Sequence, residues 1–374
     1  MNPPKIWLSS PDMGGDEFYY INQAFQTNWI APVGLNIDSF ETDLQDYLNQ
    51  DIQTVALHSG TAALHLALVL LQVQKDDVVI CQSMTFSASA NPILYQGATP
   101  IFVDSEMDTW NICPKALEQA IDYSISKGKR PKAIIAVHLY GMPYKVEEIN
   151  KIAQKHQIPI IEDAAEALGS SFRNQKCGTF GAYGVLSFNG NKIITTSGGG
   201  ALVVKDIPNK QKTIFYATQA KDSAVHYQHS EIGYNYRMSN VLAGIGRGQM
   251  KVLERHIEKR RANNLFYREL FSKYPKIQLQ KEPHSDYYSN YWLSCILTDS
   301  YSTREAIRLA LEQENIESRP LWKPLHLQPV FEQYPYFGTN IANNLFERGL
   351  CLPSGSNMTN QDRQRIKNVL LKVL

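Results

Sequence analysis

Between residues 54 and 205, short apolar runs alternate with amphipathic or polar stretches. The runs are Thr54–His58, Val78–Cys81, Thr99–Val103, Ala133–Leu139, Ile158–Glu162, Tyr183–Phe188 and Gly200–Val204. They are near-continuously apolar rather than alternating, the pattern of strands buried on both faces. Thr61–Gln72 between the first two reads as a buried helix, and Ala88–Tyr95, Pro114–Ser126 and Val146–His156 as further helices. This repetition predicts an α/β fold with a mostly parallel central sheet, right-handed crossovers and helices on both faces.

After about residue 245 the texture changes. Gly248–Leu270 reads as one long polar helix containing Glu254, Arg255, Glu258, Lys259, Arg260 and Arg261. A strand at Tyr291–Leu297, a helix at Thr303–Glu314 and a terminal helix at Asn360–Val373 follow. At the other end, Asp16–Thr27 and Asn36–Asn49 carry helix signals and are expected to wrap the sheet. One hydrophobic core stops growing near ~250–300 residues, and this chain has 374. The expected division is a large domain over 1–247 and a smaller C-terminal α/β domain over 248–374.

Composition adds limits. There are 37 Lys plus Arg against 36 Asp plus Glu, a net charge of +1, so nothing draws the whole chain to nucleic acid or an anionic membrane. Anionic ligands must be recognised locally. Five scattered cysteines suit neither a disulfide framework nor a zinc site. No metal is expected, and the first ten residues lack an apolar signal core, so a soluble cytoplasmic protein is expected.

Ligands of an open parallel sheet gather outside the carboxyl ends of its strands, and five clusters fall there. Ser59-Gly60-Thr61-Ala62 opens a helix after a strand and suits a phosphate; taken alone it reads first as an ordinary cap. Phe86 follows a strand and has the face to stack on a planar ring, or the bulk to fill a core. Asp163 ends its strand, where a buried carboxylate needs a positive partner or serves as a cap. Lys192 lies in the uncharged loop Ser187–Gly200, closed by three glycines, where a lysine can attack an aldehyde to form a Schiff base. Gly233-Tyr234-Asn235-Tyr236-Arg237 is a polar, aromatic loop that offers an amide and a guanidinium to a phosphate. In order, these parts are what a pyridoxal phosphate site needs, and neither GxxxxGK[ST] nor a strand-following GxGxxG is present.

Several longer segments carry a resemblance: Trp7–Pro11 with Met13-Gly14-Gly15, Asn28–Pro32, Ser59–Leu64, Glu162–Leu168, Ser187–Gly200, His226–Arg237 and Arg319–His326. Through them the chain resembles the DegT/DnrJ/StrS sugar aminotransferases, fold-type-I pyridoxal phosphate enzymes, over nearly its whole length. Within that family it looks most like the UDP-N-acetylbacillosamine-type transaminases. The resemblance implies that Lys192 holds pyridoxal 5'-phosphate and Asp163 pairs with its pyridinium nitrogen. Phe86 would stack on the ring, while Gly60, Thr61, Ala62 and Ser187 would bind the phosphate. Glu166 would lie near the ring hydroxyl, and Asn235, with Arg237 nearby, would reach the phosphate from the other subunit of a homodimer. Arg319, Lys323 and His326 would line the sugar-nucleotide side.

The implied reaction takes an amino group from L-glutamate, stores it as pyridoxamine phosphate, and delivers it to a UDP-linked 2-acetamido-4-keto-6-deoxy sugar for bacterial surface glycan. Two alternatives are a dehydratase on the same fold, where histidine replaces the lysine, and a non-catalytic regulator. Lys192 opposes the first; near-zero charge and a full set of site residues oppose the second.

Overall fold

The computed structural model describes residues 3–374. The seven apolar runs form strands Gln53–Leu57, Val78–Gln82, Thr99–Val103, Ala133–Val137, Ile160–Asp163, Tyr183–Ser187 and Gly200–Val204. With Tyr336–Phe337 they make one eight-stranded sheet. Its order starts Gln53–Leu57, Gly200–Val204, Tyr183–Ser187, Ile160–Asp163. It continues Ala133–Val137, Val78–Gln82, Thr99–Val103, Tyr336–Phe337. Gly200–Val204 runs antiparallel to both neighbours; the remaining pairs are parallel. The α/β expectation holds.

Successive strand residues feed opposite layers. Val79 and Cys81 pack with helix Gly60–Leu70, whereas Ile80 packs with helices Pro114–Ser126 and Val146–His156. A fully buried Val or Ile contributes about 1.5–3 kcal/mol, so filling both faces is what makes the runs continuously apolar. Helix Gly60–Leu70 is itself buried from Ala62 to Leu68. Among the described residues, no helix is long and apolar enough to cross a membrane.

A second, four-stranded antiparallel sheet has the order Gln278–Leu279, Ser294–Leu297, Gly349–Leu352, Arg319–Pro320. Helices Leu253–Phe271, Tyr301–Gln313 and Asn360–Val373 supply Tyr267, Phe271, Ile307, Leu311, Ile366 and Leu370 to its core. Two segments cross between the sheets. Ile6 bridges Ile316 and joins the core of the smaller sheet, while Tyr336–Phe337 pairs with Thr99–Val103 at the edge of the larger one.

The structure corrects two predicted helices. Ala88–Tyr95 is a 3-10 turn, Ser87–Ser89, followed by a short helix, Asn91–Tyr95. Pro92 restricts the residue before it and has no N–H to donate, so the turn cannot run on regularly. The single long helix is two, Asn240–Met250 and Leu253–Phe271, separated at Val252, whose φ of −115° and ψ of 3° leave the helical region. The two halves bury different surfaces. The first meets helices Glu17–Gln26 and Leu35–Leu48, and the second covers the smaller sheet. Strand Tyr291–Leu297 shortens to Ser294–Leu297, because Tyr291 takes a φ of +46°.

Helix Asn240–Met250 carries Gly244, Gly246 and Gly248, an apparent liability, since glycine costs about 1 kcal/mol relative to alanine in a helix. Close approach explains it. A Cβ on Gly248 would stand 2.7 Å from the Glu17 amide nitrogen, and one on Gly246 2.7 Å from the Phe40 ring. The same contact region pins the N-terminal segment: the Glu17 carboxylate accepts from the Gly14 and Gly15 amides at 2.7 and 2.8 Å and from Gln249 Nε2 at 2.6 Å. Burial raises the Glu17 pKa, but these hydrogen bonds outweigh it and hold the group below its ordinary value.

Gly248→Ala is therefore expected to destabilise the protein by roughly 1–3 kcal/mol through overpacking, despite its better helix propensity. Denaturant unfolding checks this; a variant more stable than wild type would contradict the close-packed seam.

Candidate active site

At the carboxyl ends of the central strands lies a cleft of about 390 Å³. Gly60, Thr61, Phe86, Asp163, Glu166, Ser187 and Lys192 all line it. Residues spread over 130 positions of sequence are brought to one wall by the strand order.

Ser59 is extended and caps helix Gly60–Leu70, its Oγ accepting from the Ala62 amide at 3.1 Å. The capping reading of Ser59 is met. Ala62 spends its N–H on the cap and is not a lining residue, a departure from expectation. The amides of Gly60 and Thr61, being first-turn donors, have no acceptor within the helix. Ser187 ends its strand beside them: a Cβ on Gly60 would meet Ser187 Cβ at 3.1 Å. A Cβ on Gly200 would lie 2.4 Å from the Gly60 nitrogen, so glycine there lets the antiparallel strand run against the turn.

Asp163 is buried. Its Oδ2 accepts from Ser89 Oγ at 2.7 Å, Ser89 lies 2.8 Å from Thr85 Oγ1, and Oδ1 accepts from the Ala165 amide at 3.2 Å. The 3-10 turn after Phe86 delivers Ser89. Phe86 itself is 62% exposed, a large ring face open to the cleft rather than a core side chain.

Lys192 Nζ sits 3.7 Å from Glu166 Oε1 and 4.3 Å from the centre of the Trp292 ring. Glu166 is buried and accepts from the Tyr140 amide at 2.6 Å and Trp322 Nε1 at 3.4 Å. Burial raises its pKa, and the Lys192 charge partly opposes the rise.

Other expected residues lie elsewhere. Asn235 is exposed and bridges Thr218 through its backbone, outside the lining of its own cleft. Arg237 is committed within its own chain to the buried Glu41 carboxylate and, at 3.1 Å, to the Ala56 carbonyl. This differs from a phosphate contact, because a neighbouring buried acid claims the guanidinium first. Of the three substrate expectations, only Arg319 lines the cleft, steadied by Glu317 Oε1 at 2.8 and 2.6 Å. Lys323 is exposed and outside the lining. His326 turns away, hydrogen-bonded to Ser83 at 2.7 Å and stacked on Tyr336 at 3.7 Å, and burial lowers its pKa.

Ser89, Tyr140, Trp292 and Trp322 escaped the sequence reading. Trp322 lay within the Arg319–His326 segment and could have been found there. The others gave no local signal, since a serine in Ser-Ala-Ser or a tryptophan 100 positions from the lysine reads as turn or core.

His138, Glu162 and Cys177 form a buried group of metal-ligand types. The polar atoms of Glu162 and His138 are already engaged. Glu162 accepts from His138 Nε2 at 2.6 Å, from the Phe180 and Gly181 amides at 2.7 and 3.1 Å, and from the Gly178 amide. His138 Nδ1 accepts from the Tyr144 amide at 3.2 Å. The cluster braces the strand that ends in Asp163.

The residues present fit pyridoxal phosphate. A helix end with two free amides beside a hydroxyl suits the phosphate dianion, a buried carboxylate suits a ring N–H⁺, an open aromatic face suits a planar ring, and an enclosed amine suits an aldehyde.

Comparison with known proteins bears on that fit. The profile of the DegT/DnrJ/EryC1/StrS aminotransferase family matches residues 11–371. EpsN of Bacillus subtilis (strain 168), which carries a pyridoxal phosphate-dependent aminotransferase assignment, is 48% identical over 98% of this chain and 95% of its own. A GDP-perosamine synthase of Escherichia coli O157:H7 is 36% identical over 95% of each chain. The crystal structure of a DegT DnrJ EryC1 StrS aminotransferase from Brucella abortus superposes with a TM-score of 0.88, at 28% identity, over 96% of this chain and 95% of that one. Fold, cleft and relatives agree: the chain belongs to the DegT/DnrJ/EryC1/StrS family, as a pyridoxal-phosphate-dependent sugar aminotransferase.

Proposed function

We propose that this enzyme moves the amino group of L-glutamate to the keto carbon of a nucleotide-linked 4-keto-6-deoxy sugar, a UDP-linked 2-acetamido sugar, in the building of bacterial surface glycan. The observation that carries the reading is Lys192, an amine enclosed by Glu166 and Trp292 in a cleft that also holds a helix N-terminus and the buried Asp163.

Bound pyridoxal phosphate supplies an electron sink for a carbanion at the carbon bearing nitrogen. The chain's residues do the rest. Gly60, Thr61 and Ser187 hold the phosphate at the helix end, and Phe86 covers one ring face. Asp163, oriented by Ser89, keeps a proton on the ring nitrogen. Lys192 would remove the proton from the α-carbon of glutamate and return it two atoms along, on the carbon beyond the nitrogen, then run the same transfer in reverse on the sugar. The Glu166 carboxylate and the Trp292 ring flank the Lys192 amine. Arg319 at the outer cleft meets an anionic group of donor or sugar nucleotide. One site serving two substrates in turn implies ping-pong kinetics.

The UDP-linked acceptor is supported by the resemblance around Ser187–Gly200 and Arg319–His326. A GDP-linked acceptor is the second reading, favoured by the similarity to a GDP-perosamine synthase. A homodimer with shared sites is supported by large exposed apolar side chains on and between the N-terminal helices and in the loop before Asn235, among them Phe18, Trp29, Leu35, Tyr227 and Ile232. Patches of this kind mark association surfaces, and two-fold symmetry would carry Asn235 of each chain to the other's cleft.

Three outcomes are expected. Asp163→Asn should retain most cofactor binding yet lose on the order of 10²-fold in kcat, because a neutral amide cannot hold the ring proton; near-native turnover would make Asp163 a cap only. With glutamate as donor, a panel of UDP-, GDP- and dTDP-linked 4-keto sugars should yield amino sugar best from the UDP-linked 2-acetamido substrate. Turnover confined to GDP sugars would establish the second reading instead. Finally, Lys192→Ala and Asn235→Glu chains, each inactive, should regain activity when refolded together, since a mixed dimer holds one site free of both defects. A mixture that stays inactive, with heterodimers confirmed by mass, would reject shared sites.

A further inference from the structure

The segment Trp7–Pro11 stands out in the sequence without any part in binding cofactor or substrate, and the structure gives it one. Ser9 Oγ donates to the backbone carbonyl of Asn191 at 2.7 Å. The indole N–H of Trp292 donates to the same carbonyl, also at 2.7 Å. Arg260 ties these two donors together, its guanidinium reaching the Trp292 carbonyl at 2.5 Å and Ser9 Oγ at 3.0 Å. Beyond Lys192, the ring of His256 meets the Ile193 carbonyl through Nδ1 at 3.1 Å. A carbonyl only accepts, so that nitrogen carries the proton. The carbonyls on both sides of Lys192 are thus held by groups from outside its loop.

Two physical points make this more than ordinary packing. The loop from Asn189 to Gly199 belongs to no helix or strand, so no regular ladder supplies partners for the Asn191 and Ile193 carbonyls. Arg260 is buried, and among the described residues no carboxylate lies within ion-pair distance of it. Burial accordingly lowers its pKa to about 10, with Asp12 opposing the fall. A buried cation lacking an ion pair is costly to keep for stability alone, yet here it aligns two donors on one carbonyl.

We propose that Ser9, Arg260 and His256 are positioning residues that, with the indole N–H of Trp292, clamp the backbone on either side of Lys192. The clamp keeps the amine aligned when it is released from the cofactor and must act on substrate. The N-terminal segment is then part of the working site although it touches no reacting atom. This inference rests on the reading of Lys192 as the amine that holds the cofactor and moves the proton.

The test uses the full-length enzyme and five variants: Ser9→Ala, Ser9→Thr, Trp292→Phe, Ser9→Ala with Trp292→Phe, and Lys192→Ala. Two readouts are taken, steady-state kinetics and the rate at which Lys192 is acylated in cofactor-stripped protein, followed by peptide mass. Because small displacements of a reacting group cost up to about 10²-fold in rate, Ser9→Ala should lower kcat about tenfold and the double variant about 10²-fold, with KM changed by no more than about twofold. Lys192 acylation should change in the same order, and Ser9→Thr, which keeps the hydroxyl, should restore both readouts. Wild-type kcat and acylation in the double variant would overturn the clamp. So would a loss that tracks melting temperature and is not rescued by Ser9→Thr. Lys192→Ala separates the two levels. If it stays active, the role of Lys192 itself fails; if it is dead while the Ser9 variants behave as wild type, only the clamp fails.

Discussion

Three carboxylates within five residues, Glu162, Asp163 and Glu166, are buried at the end of one central strand, and the rest of the site is arranged around satisfying them. An unpaired buried carboxylate costs several kcal/mol. Glu162 is answered by three backbone amides and His138. Glu166 is answered by the Tyr140 amide, Trp322 and Lys192. Among the described residues, Asp163 receives a hydroxyl and one long amide contact and no cation, which is the arrangement that the proposed pairing with a cofactor cation requires.

The same economy shapes the opposite wall. A single antiparallel strand among parallel ones returns the chain from the Lys192 loop past the start of helix Gly60–Leu70. Gly200 permits that close approach, which places the lysine loop and the start of helix Gly60–Leu70 in one cleft. From the smaller sheet and its flanks come Trp292, Arg319 and Trp322, which close the cleft from the other side. The chemistry is thus spread over both sheets, and the segments that cross between them, Ile6 and Tyr336–Phe337, tie those sheets together.

Much of the fold was legible because strands buried on both faces must be apolar throughout, whatever they pack against. Helix breaks were less legible. Pro92 marks the break in Ala88–Tyr95, but Val252 looks ordinary, and the break there arises from which surfaces the flanking helices bury. In the cleft, residues whose placement follows from local position were readable as lining it: Lys192 from its glycine-bounded loop, Asp163 from its strand end, Gly60 and Thr61 from their helix start. Residues whose role depends on a distant partner were not. Nothing in the sequence says that Glu41 will claim Arg237 or that Ser83 and Tyr336 will turn His326 away from the cleft. Nor does it say that Ser9 will meet Asn191. A pattern reports that a side chain is buried or capped; it does not name what lies opposite.

Every role proposed for the cleft depends on Lys192 as the residue that holds the cofactor. Borohydride treatment of the yellow holoenzyme, followed by proteolysis and peptide mass, reads this directly. One pyridoxyl adduct per chain, on the peptide bearing Lys192 and at that lysine, is the predicted result. An adduct fixed on any other lysine, or an active enzyme that yields none, would contradict it.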